Sequence, residues 1–222
     1  MRRRQTWILA ALSLLSTGLL CLAQPTATPQ DDHSHDYDIQ VADLVRLEGP
    51  PVTRYELAYV FAKYARPLEE SLLNEKAPEA AALPPDVPPD HWAAGAIGYL
   101  SGRNYLGYLW PGGNFDGDQP ATREEVALLF TALADRLKPA FKRNPEPKTV
   151  DLQKIAGEGD ALRALQRLAT EGWLPYESPI LLSRPGSKVS PPVLAVALSQ
   201  HARALGVRLQ KRMDGLNDPY VR

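Results

Sequence analysis

Two arginines occupy the same place in two similar tetrapeptides. The pattern Thr-Arg-x-Glu starts at Thr53 and again at Thr122, each time before an apolar pattern with helical spacing. Arg54 and Arg123 therefore fall at the first helical position, where the helix dipole disfavours a positive charge. A guanidinium beside exposed backbone N–H groups can clamp a carboxylate or a phosphate. The pattern favours an anion-binding role for both arginines, although two instances can also arise by chance or by inherited repetition.

The threonine and the glutamate of each tetrapeptide have a simpler interpretation. Thr53 with Glu56, and Thr122 with Glu125, are spaced as capping boxes, in which each side chain bonds to the backbone N–H of the other residue. Ser190 precedes a third helical pattern and can cap it, because the proline that follows suits the first turn. Helix capping explains these five residues but leaves the arginines unexplained.

The helices that would position these residues recur along the chain. Apolar residues have helical spacing over 57–68, 126–137 and 194–205. Ile97 and Leu165 are separated by the same 68 positions as Thr122 and Ser190 (165 − 97 = 68; 190 − 122 = 68). A constant offset over that distance indicates an internal repeat.

Each repeat consists of a helix, a loop rich in glycine and proline, and a second helix. We place an abbreviated first repeat at 39–70, a second at 83–138 and a degenerate third at 149–209, with a short tail at 210–222. The 21 prolines lie mainly between helical stretches, which is typical of short helices joined by stiff loops. The sequence predicts an all-α fold.

The N-terminal residues have the composition of an export signal. Arginines at positions 2–4 precede an apolar run of about 16 residues and a small-residue site, so we predict a signal peptide over 1–23, cleaved between Ala23 and Gln24. That run is shorter than the roughly 20 residues that span a bilayer. Lipidation at Cys21 is the minority alternative, because Leu20 is a poor fit before it. Residues 24–38 are polar and predict a flexible leader.

Charge excludes some partners. Cleavage would remove three arginines, so 22 basic residues (25 − 3) would face 26 acidic ones. A mildly acidic chain is a poor candidate for nucleic acid. We also predict no catalytic residues, no metal site and no cofactor, because no catalytic constellation stands out from the repeat pattern and 114–118 is more typical of a turn than of a calcium loop.

Residues 83–137 resemble the S-layer homology repeat. The resemblance rests on Asp86-Val87, His91-Trp92, Ala96-Ile97, Gly107-Tyr108, Gly112-Gly113-Asn114-Phe115 and Thr122-Arg123-Glu124-Glu125, in that order. The flanking copies are degenerate: the first keeps Thr53, Arg54 and Glu56, and the third has Pro191 and Val193 where the arginine and the glutamate would stand.

The resemblance implies a pseudo-threefold bundle of three repeats whose grooves bind a cell-wall polysaccharide, often one with a pyruvate ketal. It implies that Arg54 and Arg123 meet the carboxylate, that Asp86 and Trp92 bind and stack on sugar, and that Gly107 lets the glycan approach the backbone. The residue types leave alternatives open, since Trp92 can be a core residue and Asp86 a helix cap. At most two grooves are expected to be competent, because the third repeat lacks the arginine.

These expectations combine into one functional hypothesis. The chain is predicted to be a non-catalytic protein of the cell envelope that anchors itself to a cell-wall polysaccharide or a peptidoglycan-linked polymer. The alternative is a docking subunit that binds an S-layer protein or an outer-envelope protein and no glycan.

Overall fold

The computed structural model describes residues 45–46, 48–76, 78, 81–109, 113–141 and 147–217, without the side chains of Tyr108 and 210–217. The predicted signal peptide, its cleavage site at Ala23 and Gln24, and the leader at 24–38 lie outside the described residues.

Seven α-helices make up most of the described chain. They are α1 (Arg54–Leu73), α2 (Ala94–Gly102), α3 (Leu106–Leu109), α4 (Arg123–Leu137), α5 (Gly159–Thr170), α6 (Pro179–Leu182) and α7 (Pro191–Asn217), with 3-10 turns at Lys138–Ala140 and Leu152–Lys154. The described residues contain no strand, only two isolated bridges, Thr53 with Pro120 and Thr122 with Lys188. The predicted all-α class is confirmed.

A ring of backbone hydrogen bonds joins the starts of α1, α4 and α7. The N–H of Val52 donates to the carbonyl of Val189 (2.9 Å), that of Val189 to Ala121 (2.9 Å), and that of Ala121 to Val52 (2.7 Å). All three residues are buried, and each stands one position before the residue that precedes its helix. The three helix starts are therefore joined in one closed cycle of hydrogen bonds.

The long helices share one core beneath this ring. His201 of α7 is fully buried and stacks between Phe130 (4.8 Å between ring centroids) and Trp173 (5.2 Å). The Tyr64 hydroxyl lies 2.8 Å from its Nδ1. Burial lowers the pKa of His201 to about 3, so this histidine is a neutral core residue.

A buried carboxylate holds the far end of α1. Glu69 has no exposed surface, and its two oxygens lie 2.8 Å from Nε of Arg136 and Nε of Arg103. The Tyr105 hydroxyl donates to the same carboxylate. A buried charge needs such partners, since an unpaired one is strongly destabilising. Helix α1 continues through Pro67 to Leu73, three residues past the predicted end of the first repeat.

Candidate ligand-binding grooves

The two Thr-Arg-x-Glu segments form capping boxes at α1 and α4. The Glu56 N–H donates to Thr53 Oγ1 (3.2 Å), and the Thr53 N–H donates to Glu56 Oε2 (2.8 Å). The corresponding distances for Thr122 and Glu125 are 3.3 and 2.8 Å. These bonds fix the direction in which the residue after each threonine leaves its helix.

Ser190 stands at the equivalent place before α7. Its carbonyl accepts the N–H of Leu194 (3.1 Å), as at a helix start. Capping by its hydroxyl stays a prediction.

Arg54 reaches from α1 to the start of α4. Its Nε donates to Glu125 Oε1 (2.8 Å) and its Nη1 to the Phe115 carbonyl (3.2 Å), while Asp116 lies 3.8 Å from Nη1. The side chain is 20% exposed. Arg54 therefore joins the first of the three predicted repeats, which we call units, to the second. A fifth of its side chain faces solvent.

Arg123 makes the equivalent reach toward the third unit but is 1% exposed. Its Nε donates to Glu124 (2.8 Å), Nη1 donates to the carbonyls of Leu181 (3.3 Å) and Ser183, and Nη2 donates to the Ala156 carbonyl. A ligand would reach this guanidinium only after those contacts had opened. The position of Arg123 thus opposes its predicted contact with an anion.

Arg46 occupies a role that the sequence did not reveal. Its Nε and Nη2 donate to the two carboxylate oxygens of Glu56 (2.8 and 3.1 Å), and this bond raises its pKa. Arg54 pairs with Glu125 in the same way, but Pro191 replaces the arginine that the third unit would send to Glu56. Pro191 was the sequence signal for this contact, because a third unit without the arginine leaves Glu56 to pair with a cation from another segment.

The first groove, which we call the aromatic groove, lies against the start of α1 and has a volume of about 210 Å³. It is lined by Val45, Arg46, Val52, Glu56, Tyr59, Val60 and Trp92. Trp92 is 56% exposed, with its ring 5.4 Å from Tyr59 and 5.4 Å from His91. The open alternative for Trp92 is thereby decided, because this side chain is a supported surface residue and not part of the core.

Asp86 shapes the loop beside this groove. Its carboxylate accepts the N–H groups of Phe115 (2.8 Å) and Asp116 (2.7 Å). Burial opposes ionisation, but these backbone hydrogen bonds outweigh it and lower the pKa of Asp86. The residue before α2 is Ala93, so Asp86 does not cap that helix. Asp86 instead holds the loop whose Phe115 carbonyl receives Arg54.

Tyr55 and Gly117 were not predicted from the sequence, although they connect these parts. The Tyr55 ring lies 3.9 Å from His91 and 5.4 Å from Phe115 between centroids. A Cβ at Gly117 would lie 2.2 Å from that ring. The sequence signal was weak, because 114–118 indicated only a turn, which does form with Asp116 at φ 49°.

A second groove lies between α4, α5 and the end of α2, with a volume of about 620 Å³. We call it the paired-charge groove, and it is lined by Arg103, Asn104, Tyr105, Leu128, Thr131, Ala132, Asp135, Arg136, Asp160, Arg163, Ala164 and Arg167. Gly107 is exposed outside this lining, and an added Cβ there would lie 2.6 Å from Oδ1 of the lining residue Asn104.

The structure thus divides the predicted glycan-binding set. Arg54 and Asp86 both bond to the backbone of Phe115, whose ring packs against Tyr55. The ring of Trp92 lies 6.3 Å from that of Tyr55, and of the three predicted residues only Trp92 lines the aromatic groove. Gly107 lies beside Asn104, which lines the paired-charge groove, and Arg123 lies buried between α4 and the segments that contain Ala156 and Leu181. Within the described residues, no group of three His, Cys, Asp or Glu side chains is placed to hold a metal ion.

The middle of the chain is similar to known proteins. The S-layer homology domain family matches residues 85–127. The chain is also similar to the outer membrane protein SlpA of Deinococcus radiodurans, with 44% identity over 63 residues. That match covers 28% of this chain and 5% of the relative, so the chain corresponds to a small part of SlpA. No solved structure matches the chain significantly.

The matched segment contains Asp86, Trp92, Gly107 and Arg123. None of the helices in the described residues has the length and apolar character needed to cross a bilayer. S-layer homology domains are non-catalytic binding domains that associate with polymers of the cell wall and with the cell envelope. Residues 85–127 of this chain therefore correspond to an S-layer homology domain.

Proposed function

We propose that this chain is an exported, non-catalytic protein that attaches non-covalently to a cell-wall polysaccharide through the aromatic groove. The observation that carries the proposal is Trp92, a large ring that is 56% exposed and yet held against Tyr59 and His91. An exposed ring that packs edge-on against a second aromatic residue offers an amphipathic surface to a ligand.

The groove offers both parts of a sugar site. The rings of Trp92 and Tyr59 provide an apolar face for the C–H surface of a sugar ring, and the Arg46–Glu56 pair beside them provides donors and acceptors for hydroxyl groups. A volume of about 210 Å³ is small for a ligand pocket and suits one sugar ring of a longer chain.

An acidic substituent, such as a pyruvate ketal, is the finer part of the proposal. Arg46 lines the groove and its side chain is 33% exposed, whereas Arg54 is 20% and Arg123 1% exposed. Arg46 and then Arg54 would therefore meet a carboxylate on the polymer, since a guanidinium binds a carboxylate with two charge-assisted bonds.

The test is retention of the protein on purified cell-wall polysaccharide. We expect Trp92→Ala to lower affinity at least about tenfold, which corresponds to about 1.4 kcal/mol. Val207→Ala is the matched control, because Val207 is 54% exposed on helix α7 and does not line the aromatic groove. Retention of Trp92→Ala that equals that of the wild type would exclude the aromatic groove as the site.

Chemical removal of pyruvate from the polysaccharide tests the acidic group separately. We expect weaker binding of the wild type and little further loss in Arg46→Ala. Equal affinity for both forms of the polymer would reject the acidic substituent while leaving the sugar site in place.

Docking on an outer-envelope protein is the second candidate function. The matched relative is named an outer membrane protein, and its matched segment is a small part of that protein. A chain that binds no wall preparation but co-purifies with an envelope protein would favour this candidate over the glycan anchor.

A further inference from the structure

Two loops at equivalent places in the second and third units carry opposite charges. Residues 114–118, which we call the acidic loop, contain two carboxylates and no cation. Residues 182–188, which we call the basic loop, contain two cations and no carboxylate. Arg184 stands at the repeat position of Asp116 (184 − 116 = 68), so the charge at this position is reversed between the two units.

The charged side chains of both loops face solvent. The side chain of Asp116 is 56% exposed, although it lies 3.8 Å from Arg54, and Asp118 is exposed as well. Arg184 and Lys188 are exposed, and neither forms an ion pair with a residue that the structure describes. Each loop therefore presents charged groups that a partner of opposite charge can contact.

Hydrogen bonds from the start of α4 hold the basic loop in place. The Arg123 N–H donates to the Ser187 carbonyl (3.0 Å), and the Arg123 guanidinium donates to the Ser183 carbonyl. The Gly186 N–H donates to Glu124 Oε1 (3.1 Å). Arg123 is therefore a positioning residue for the basic loop, which accounts for a guanidinium that is turned away from solvent.

Leu182 adds an apolar group to the basic loop. It is 44% exposed and is one of the three large apolar side chains that are exposed in the described part of the chain. A single exposed leucine is ordinary on a protein surface, but this one stands two positions from Arg184 on a loop that is held in place. A fixed surface with an apolar centre and a charged edge suits protein binding, because little conformational entropy is lost there.

The acidic loop of a second copy is a complementary surface that the chain itself provides. This loop is also held in place, since Asp86 accepts the N–H groups of Phe115 and Asp116 (2.8 and 2.7 Å). Neither Asp116 nor Asp118 lines the aromatic groove, so a contact through this loop does not use the lining of that groove. Opposite charges on two surfaces speed their encounter and fix its orientation.

We propose that the basic loop of one chain binds the acidic loop of a second copy, with Arg184 and Lys188 facing the two carboxylates and Leu182 at the centre of the contact. The two surfaces are different, so the association is head-to-tail, and a pair of copies still has one vacant loop of each kind. Repeated contacts then form a ring or an open chain. The contact involves no glycan and does not depend on the proposed function.

The test is sedimentation velocity of the full chain from micromolar to millimolar concentration. We expect the wild type to self-associate at low salt and to do so at least about tenfold more weakly at about 1 M salt, where the Debye length is about 3 Å.

Two double variants each remove the charge of one loop. Asp116→Asn with Asp118→Asn neutralises the acidic loop, and asparagine tolerates the positive φ of position 116 (49°). Arg184→Gln with Lys188→Gln neutralises the basic loop. We expect each double variant to self-associate at least about tenfold more weakly than the wild type. Circular dichroism verifies that both variants are folded.

Mixing the two double variants separates the proposed contact from general attraction between charged proteins. One variant keeps the basic loop and the other keeps the acidic loop, so the mixture contains one intact pair of surfaces. We expect heterodimers and no larger species. Lys138→Gln with Lys148→Gln is the matched control, because both lysines are exposed and lie outside the two loops. This control should associate like the wild type.

Several results would overturn the proposal. They are a wild type that stays monomeric at millimolar concentration and low salt, double variants that associate like the wild type, and a mixture that forms no heterodimer. Leu182→Ala keeps every charge and should weaken association severalfold, so an unchanged association constant would also overturn the contact.

Vesicles that contain anionic phospholipid test the other possible partner of the basic loop. A monomeric wild type that binds these vesicles through Arg184 and Lys188 would assign the loop to a lipid surface and overturn self-association. Retention on cell-wall polysaccharide is measured separately, so failure of this proposal would leave the proposed function standing.

Discussion

The two junctions between successive units use matching positions for different chemistry. Between the first and second units, the guanidinium of Arg66 lies 4.8 Å from the centroid of the Tyr99 ring. At the matching positions of the next junction (135 − 66 = 69; 167 − 99 = 68), Asp135 forms an ion pair of 2.6 Å with Arg167. The same two positions are therefore in contact at both junctions, by a cation–π interaction at the first and by an ion pair at the second.

The repeated arginines show the same difference. Arg54 meets Glu125 across the first junction, whereas Val193 stands at the matching position across the second, and Arg123 bonds to backbone carbonyls instead. Arg54 and Arg123 both follow the backbone ring by two positions and both reach toward the next unit. Their partners differ because the next unit offers a carboxylate at the first junction and backbone carbonyls at the second.

The largest test of this comparison is the loss of each repeated arginine. We expect Arg123→Ala to lower the free energy of unfolding by about 2–4 kcal/mol, because it removes a buried side chain and leaves the carbonyls of Ala156, Leu181 and Ser183 without their donor. Arg54→Ala should cost less, about 1–2 kcal/mol, since Arg54 is 20% exposed and Glu125 keeps its hydrogen bond from the Thr122 N–H. Urea denaturation measures both values, and equal losses would contradict the difference between the junctions.

Lowering the pH should weaken the core that both junctions share. The pKa of His201 is about 3 in the folded protein and near 6.5 when unfolded. The unfolded chain therefore takes up the proton first, so stability is complete above pH 6.5 and falls by about 1.4 kcal/mol per pH unit toward pH 3. Between pH 6.5 and 4.5 we expect a loss of about 2–3 kcal/mol from this residue.

The control for the pH experiment is His201→Phe combined with Tyr64→Phe. This double variant keeps an aromatic ring beside Phe130 and Trp173 and removes the hydroxyl that bonds to the histidine. Its unfolding free energy, measured by urea denaturation at each pH, should fall less steeply than that of the wild type. Parallel curves for the two proteins would show that His201 does not titrate as proposed.

A more local test concerns the loop of the first junction. Gly117→Ala would place a Cβ 2.2 Å from the buried ring of Tyr55, so we expect a loss of about 1–3 kcal/mol and a displaced ring. Gly113→Ala is the matched control, because nothing lies within 4 Å of a Cβ there. Thermal unfolding of the two variants distinguishes them, and an equally stable Gly117→Ala protein would mean that Tyr55 is free to move.

The sequence predicted what depends on local patterns. The all-α class followed from helical spacing, and the capping boxes at Thr53 and Thr122 followed from the distance between threonine and glutamate. Val52, Ala121 and Val189, which form the hydrogen-bonded ring, are separated by 69 and 68 positions (121 − 52 = 69; 189 − 121 = 68), the offset of the predicted repeat. The predicted glycan contacts remain predictions.

What the sequence did not predict depends on contacts across a junction. The burial of Arg123 follows from carbonyls at 156, 181 and 183, which present the same atoms whatever their side chains are. Arg46 lies outside the repeat pattern and becomes the partner of Glu56 only when the two segments meet. The paired-charge groove likewise combines residues of α2, α4 and α5, and no single motif contains them.

The ring formed by Val52, Ala121 and Val189 also sets the number of helix starts that can join it. Each residue donates once and accepts once, so the cycle closes at three members. Solenoid proteins stack their units with a free end at which another unit can be added. Here a fourth unit would find no vacant member in the cycle, so growth by tandem duplication would have to build a separate module beside this one.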